Sequence, residues 1–99
     1  MEYDIKLYSR KSELLKALAH PIRLCIVRGL LKQGSCNVTY MEECLNVSQS
    51  AISQHLTKLK TAGILRSIRT GNTNMYEVVD PEAIRIILCL FQEEGKEIL

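Results

Sequence analysis

Two apolar stripes of helical period meet at a single tight joint, Asn46-Val47. Upstream, Met41, Cys44 and Leu45 form the inner face of a short helix. Downstream, Ile52, Leu56 and Leu59 lie on one stripe, with Ala51 and Ala62 beside it. Thr39 can cap the first helix, with Glu42 three residues on completing a capping box. Ser48 can cap the second, and Gly63 closes it. A short helix, a tight turn and a second helix is the helix-turn-helix layout.

The flanks fit around that unit. Residues 5–18 place Leu7, Leu14, Leu15 and Leu18 among charges, a helical pattern that His20-Pro21 breaks. Pro21 suits the first position of a new helix, whose apolar face is Ile22, Cys25, Ile26 and Leu30 and which ends at Gly34-Ser35. After Gly63 the period changes. Ile64, Leu65, Ser67, Ile68 and Thr70 read as a strand, Gly71-Asn72 as a turn, and residues 75–79 as the return strand. A hairpin after a helix-turn-helix is a wing. Asp80-Pro81-Glu82 opens a last helix, expected over residues 81–95. The expected fold is mainly α with a small β-hairpin: a winged helix-turn-helix of about five helices and a two-stranded wing. Residues 1–99 are expected to form one DNA-binding domain.

The formal charge of +2 hides an uneven distribution. Residues 1–43 hold seven basic and five acidic side chains. Residues 44–76 hold four basic ones (Lys58, Lys60, Arg66, Arg69) and no acid. Residues 77–99 hold two basic and six acidic. An acid-free middle suits a surface that approaches a polyanion.

The second helix carries that surface. Gln49, Ser50, Ser53, Gln54, Thr57 and Lys58 lie opposite its apolar stripe. Ordinary solvated helix faces carry Glu–Lys pairs, and this one has no carboxylate to repel phosphate. Gln can read adenine in bidentate fashion, Ser pairs with several base edges, and Lys58 can neutralise a phosphate. In the hairpin, Arg66 and Arg69, with Thr70, Asn72 and Asn74 at the tip, are placed to touch backbone or minor groove. The competing reading is a structural hairpin with solvated arginines.

The last helix contains Ile84, Ile86, Ile87, Leu88, Leu90 and Phe91, apolar on nearly every side. One small domain cannot bury all of that. A two-fold homodimer can, with helix 81–95 against its own copy and against helix 5–18. It also places two recognition helices one DNA turn apart. No run of about 18 apolar residues exists, so no membrane partner is expected. The acidic, polar start at Met1-Glu2-Tyr3-Asp4 is no secretory signal. A cytoplasmic location follows, with Cys25, Cys36, Cys44 and Cys89 as reduced thiols. No metal-ligand cluster, Gly-rich phosphate loop or Ser/His/Asp spacing supports an enzyme.

At this point the chain resembles a known family. The segments "LLKALAHPIRLCIV" (14–27), "LNVSQSAISQHLTKLKTAGIL" (45–65) and the "RTGNTNMYEV" wing are similar to the ArsR/SmtB winged-helix repressors. The resemblance runs from about Leu14 to Phe91. It implies a homodimeric repressor that binds a palindromic operator and is released by an inducer, often a metal or metalloid ion, sometimes a thiol oxidant. It also implies that Ser48, Gln49, Ser50, Ser53, Gln54 and His55 lie at or near DNA, with His55 at the edge of the core.

The inducer is where the chain departs from the family pattern. One family metal site uses a Cys-x-Cys pair before the recognition helix, but here Cys36 and Cys44 are eight apart. Another uses Asp and His on the last helix, which here has no histidine. No metal site is identified, and the fold is expected to need no cofactor. Cys25 and Cys44 read as small core residues. Cys89 shares a helical side with Arg85, Gln92 and Lys96, whose cations favour a thiolate. Cys89 and Cys36 are the candidate sensing thiols, with an idle semi-exposed thiol as the other reading of Cys89. The expected inducer is a small thiol-reactive species or soft metalloid. The alternative is a metal-independent repressor of the same fold, controlled by occupancy or by a protein partner.

Overall fold

The computed structural model describes residues 1–92. Its elements run α1 (Ile5–Leu18), α2 (Pro21–Gln33), α3 (Val38–Leu45), α4 (Gln49–Thr61), β1 (Leu65–Thr70), β2 (Thr73–Val78) and α5 (Pro81–Leu90). This is the expected winged helix-turn-helix. The last three positions of the helix expected over 81–95 lie outside the described residues.

Each helix starts where a side chain can accept an orphan backbone N–H. Asp4, His20, Asn37, Ser48 and Asp80 are the five caps. The third corrects an expectation: Asn37, not Thr39, caps α3, its Oδ1 accepting the Tyr40 N–H at 2.8 Å. The reason is non-local. Cys36 exchanges two backbone hydrogen bonds with Tyr76 of β2, at 3.2 and 2.9 Å. That bridge fixes the chain as extended just before Asn37, so the helix begins earlier than local signals suggest.

The turns follow backbone conformation. Asn46 adopts φ 54°, the left-handed region that Asn tolerates better than most residues. Gly71 takes φ 63° at the first position of the two-residue loop between the paired Thr70 and Thr73. A type II′ hairpin turn requires that conformation.

The core joins every helix to the hairpin. Val27 of α2, Ile52 and Leu59 of α4, Ile64, and Ile87 of α5 are fully buried. Burying each such side chain contributes about 1.5–3 kcal/mol. Leu14, Leu18, Met41, Leu56 and Leu65 complete the cluster. The stripe Ile52–Leu56–Leu59 therefore points inward and commits the opposite face of α4 to solvent. Lys11 of α1 pairs with Glu82 of α5 at 2.5 Å, tying the first and last helices together and holding the Glu82 carboxyl below its usual range. No helix among the described residues is long and apolar enough to cross a membrane.

Candidate nucleic-acid interface

Helix α4 presents its N-terminal turn at the surface. Ser48, Gln49 and Ser50 are exposed there, and Ser53, Gln54, Thr57 and Lys58 continue the exposed face. Ser48 accepts the Ala51 N–H at 3.2 Å, and its exposed hydroxyl can still donate a proton to a phosphate or base edge. The positive end of the helix dipole adds to that attraction for anions. Thr57 donates to the Ser53 carbonyl at 2.9 Å, so its hydroxyl proton is used within the helix.

The wing is held in register with this helix from two sides. Lys60 of α4 donates to the Ser67 hydroxyl of β1 at 3.1 Å. The Cys36–Tyr76 bridge anchors β2 to the segment between α2 and α3. At the tip, Arg69, Thr70, Asn72 and Asn74 are exposed. The Arg69 Nε donates to the Gly71 carbonyl at 3.1 Å, which orients its guanidinium beside the loop. Arg66 is placed differently. It pairs across the hairpin with Glu77 at 2.5 Å, so its charge is already matched by an acid from just beyond the acid-free block.

His55 sits at the edge of the core, as expected, apart from the fully exposed face. It is half-buried, and its Nδ1 accepts from the Arg23 guanidinium at 3.1 Å. Arg23 is only 9% exposed. It also donates to the carbonyls of Ala17 at 2.6 Å and Lys16 at 3.4 Å, satisfying the C-terminal end of α1. The rings of His20 and His55 lie 4.4 Å apart. The His20 Nδ1 in turn accepts the Ile22 N–H at 3.0 Å and caps α2. Arg23 can only donate, so the His55 Nδ1 is the accepting nitrogen and the ring carries its proton on Nε2. Burial, then His20, Arg23 and Lys58, depress the His55 pKa below its usual value. These residues form a buried polar joint that seats the recognition helix on α1 and α2. Sequence reasoning missed it, because nothing local distinguishes Arg23 from the other arginines.

The thiols are also redistributed. Cys25 and Cys44, read as core residues, are exposed. Cys36, read as a sensing candidate, is buried, and burial with the nearby Cys44 pushes its pKa up. Cys89 is exposed on α5. Lys96, one of the cations expected beside it, lies outside the described residues. Among the described residues no three His, Cys, Asp or Glu side chains group as metal ligands would.

Known proteins share this arrangement. The model for bacterial regulatory proteins of the arsR family matches residues 20–67, from the cap of α2 into β1. The transcriptional repressor PagR of Bacillus anthracis is 40% identical over 79 residues, 80% of this chain and 79% of PagR. Its crystal structure superposes with a TM-score of 0.80, covering 88% of this chain and 99% of that one. The transcriptional repressor SmtB of Mycobacterium tuberculosis is 36% identical over 85 residues, 86% of this chain but 62% of SmtB. The homodimeric winged helix-turn-helix domain of Mb0332 from Mycobacterium bovis, solved by NMR, matches with a TM-score of 0.75 and 28% identity. That match covers 100% of this chain and 92% of the Mb0332 fragment. Fold, match to the family model and identity to PagR agree: the chain belongs to the arsR family of bacterial regulatory proteins and is a DNA-binding transcriptional regulator, not an enzyme.

Proposed function

We propose that residues 1–99 act as one winged-helix unit that represses transcription in the cytoplasm as a homodimer on a palindromic operator. The observation that carries this reading is the exposed, carboxylate-free face of α4, set rigidly against the core by Ile52, Leu56 and Leu59. Ser48, Gln49, Ser50, Ser53 and Gln54 are the residues for base edges and nearby phosphates. Lys58 and Arg69 serve phosphates, and Asn72 the wing contact. Arg66 contributes less, because Glu77 already holds it.

Dimerisation is supported by apolar surface left uncovered on α1 and α5. Leu15 is 54% exposed and Leu90 61% exposed. Ile5 and Tyr8 extend the same kind of surface along α1. The homodimeric state of Mb0332 supports the same assembly here. Two copies then present two α4 helices to successive major grooves. Repression is the activity named for PagR and SmtB, and we assign it to this chain on that likeness.

Release by a small thiol-reactive inducer is the regulation we favour, because three of the four cysteines reach the surface. Control by occupancy alone is the second reading, favoured by the missing Cys-x-Cys pair and last-helix histidine. The test is selection of duplex DNA from a randomised pool, with sedimentation of the protein alone and bound. A palindrome bound by two copies supports the proposal. Recovery of no sequence preference, or one copy per site, overturns it.

A further inference from the structure

A cleft of about 130 Å³ opens between α2 and α3, away from the α4 face. Three of the chain's four cysteines line it: Cys25, Cys36 and Cys44. Its walls are otherwise mainly apolar, with Leu30 and Met41 on opposite sides. Gly29 lines it too, in the middle of α2. A glycine inside a helix is destabilising relative to alanine, so it calls for a reason. Among the described residues nothing lies within 4 Å of where its Cβ would stand, so no close packing there demands it. Its effect is to leave one wall of the cleft bare.

The thiols differ in state. Cys36 is buried and held as a neutral thiol. Cys44 is exposed, and Tyr40, one helical turn before it on α3, lines the same cleft. An exposed thiol is the one a reagent can reach, and its thiolate is the attacking form.

The cleft also lies at a mechanical junction. Cys44 belongs to α3, whose C-terminal turn at Asn46 leads directly into the cap of α4. Cys36 carries the backbone bridge to Tyr76 of the wing. Anything that wedges α2 from α3 therefore displaces the recognition helix and the wing together.

The geometry points to this cleft as a binding site for a small apolar α,β-unsaturated carbonyl compound, which adds covalently to Cys44 and releases the protein from DNA. The addition is balanced without an oxidant. The Cys44 sulfur bonds to the β-carbon, the carbon–carbon π bond breaks, and the thiol proton ends on the α-carbon. The release step rests on the DNA-binding function proposed above; the site itself does not.

N-phenylmaleimide is a suitable probe, with an apolar ring and an activated double bond. Substoichiometric labelling of the full chain, read by peptide mass mapping, should place the adduct first on Cys44. Gly29→Leu fills the bare wall and should slow Cys44 labelling about tenfold relative to Cys89, the loss expected when a ring's apolar contact is denied. Gly29→Ala, which keeps the helix, should slow it by a smaller factor in the same direction. Equal labelling of Cys44 and Cys89, or rates indifferent to both Gly29 variants, overturns the site. On duplex DNA selected by the unmodified protein, the adduct should bind at least about tenfold more weakly. Cys44→Ser treated with the same probe should keep its affinity. Unchanged binding by the adduct overturns the coupling, and a chain that selects no duplex overturns the DNA reading on which the coupling rests.

Discussion

The imidazoles of His20 and His55 lie 4.4 Å apart, one capping α2 and the other accepting from Arg23 out of α4. The His55 contact uses a bare Nδ1, so it needs the neutral ring. Protonating His55 places a cation against His20, Arg23 and Lys58, the groups that already lower its pKa after burial. The folded pKa of His55 is thus below the unfolded value of about 6.5. A base with a lowered pKa contributes stability above the unfolded value and loses it as pH falls. Thermal melts should therefore show the midpoint falling between pH 7 and pH 5, before the carboxylates titrate. His55→Gln should flatten that dependence. A slope unchanged by the substitution would place the proton uptake elsewhere.

Arg23 is the most exacting member of that joint. Its guanidinium serves two carbonyls of α1 and one imidazole of α4. Arg23→Met keeps much of the volume but leaves all three acceptors without this donor. Each buried unsatisfied group costs about 1–3 kcal/mol, so urea unfolding should report a loss of at least about 2 kcal/mol. Arg28→Met serves as a comparison on the same helix.

Ser53 and Gln54 are exposed on the side of α4 opposite the buried Ile52, Leu56 and Leu59. Ser53→Ala and Gln54→Ala should leave the melting temperature unchanged. Each should weaken binding to the selected palindrome by about 1–3 kcal/mol per lost base contact. Affinity for unrelated duplex should hold. Unchanged affinity and sequence preference in both variants would remove α4 from the reading role.

The charges of α4 and the wing divide into two kinds. Lys58→Ala and Arg69→Ala should weaken specific and non-specific duplex alike. Each should make the slope of log affinity against log salt shallower by roughly one unit, following about −0.9 per neutralised phosphate. Arg66→Ala should change the slope less, because Glu77 already pairs with Arg66. Glu77→Gln should tighten non-specific binding by freeing it. An Arg66 variant as costly as the Arg69 variant would show the ion pair opens on DNA.

The last helix makes a sharper distinction. Leu90→Glu places a carboxylate on a side chain 61% exposed in the single chain, so the variant should fold and sediment as a monomer. Ile87 is fully buried, and Ile87→Glu should unfold the chain, since an unpaired buried carboxylate is costly. Circular dichroism and sedimentation together separate the two outcomes. A folded Leu90→Glu dimer would move the interface away from α5.

Local chemistry was enough to place the elements. Pro21 after His20, Ser48 before Gln49, Gly63 after α4 and Gly71-Asn72 in the hairpin each act through their own backbone torsions or caps. Their effects need no distant partner, and the structure has its boundaries close to where they point. The exposed side of α4 was legible for a related reason: once Ile52, Leu56 and Leu59 face inward, the period of the helix decides the other side. What tertiary structure alone decided were the matters of pairing. Asn37 replaced Thr39 as the cap because a wing strand 40 residues on fixes Cys36 through Tyr76. The partner of His55 was decided there too: Arg23, 32 residues earlier, donates to it. Arg66 was matched by Glu77 only once the hairpin closed in register. Cys25 and Cys44, expected in the core, are exposed, because burial of a small apolar side chain depends on which helix packs over it. A helical stripe records which side of one element is apolar, but not how far a neighbouring element covers it.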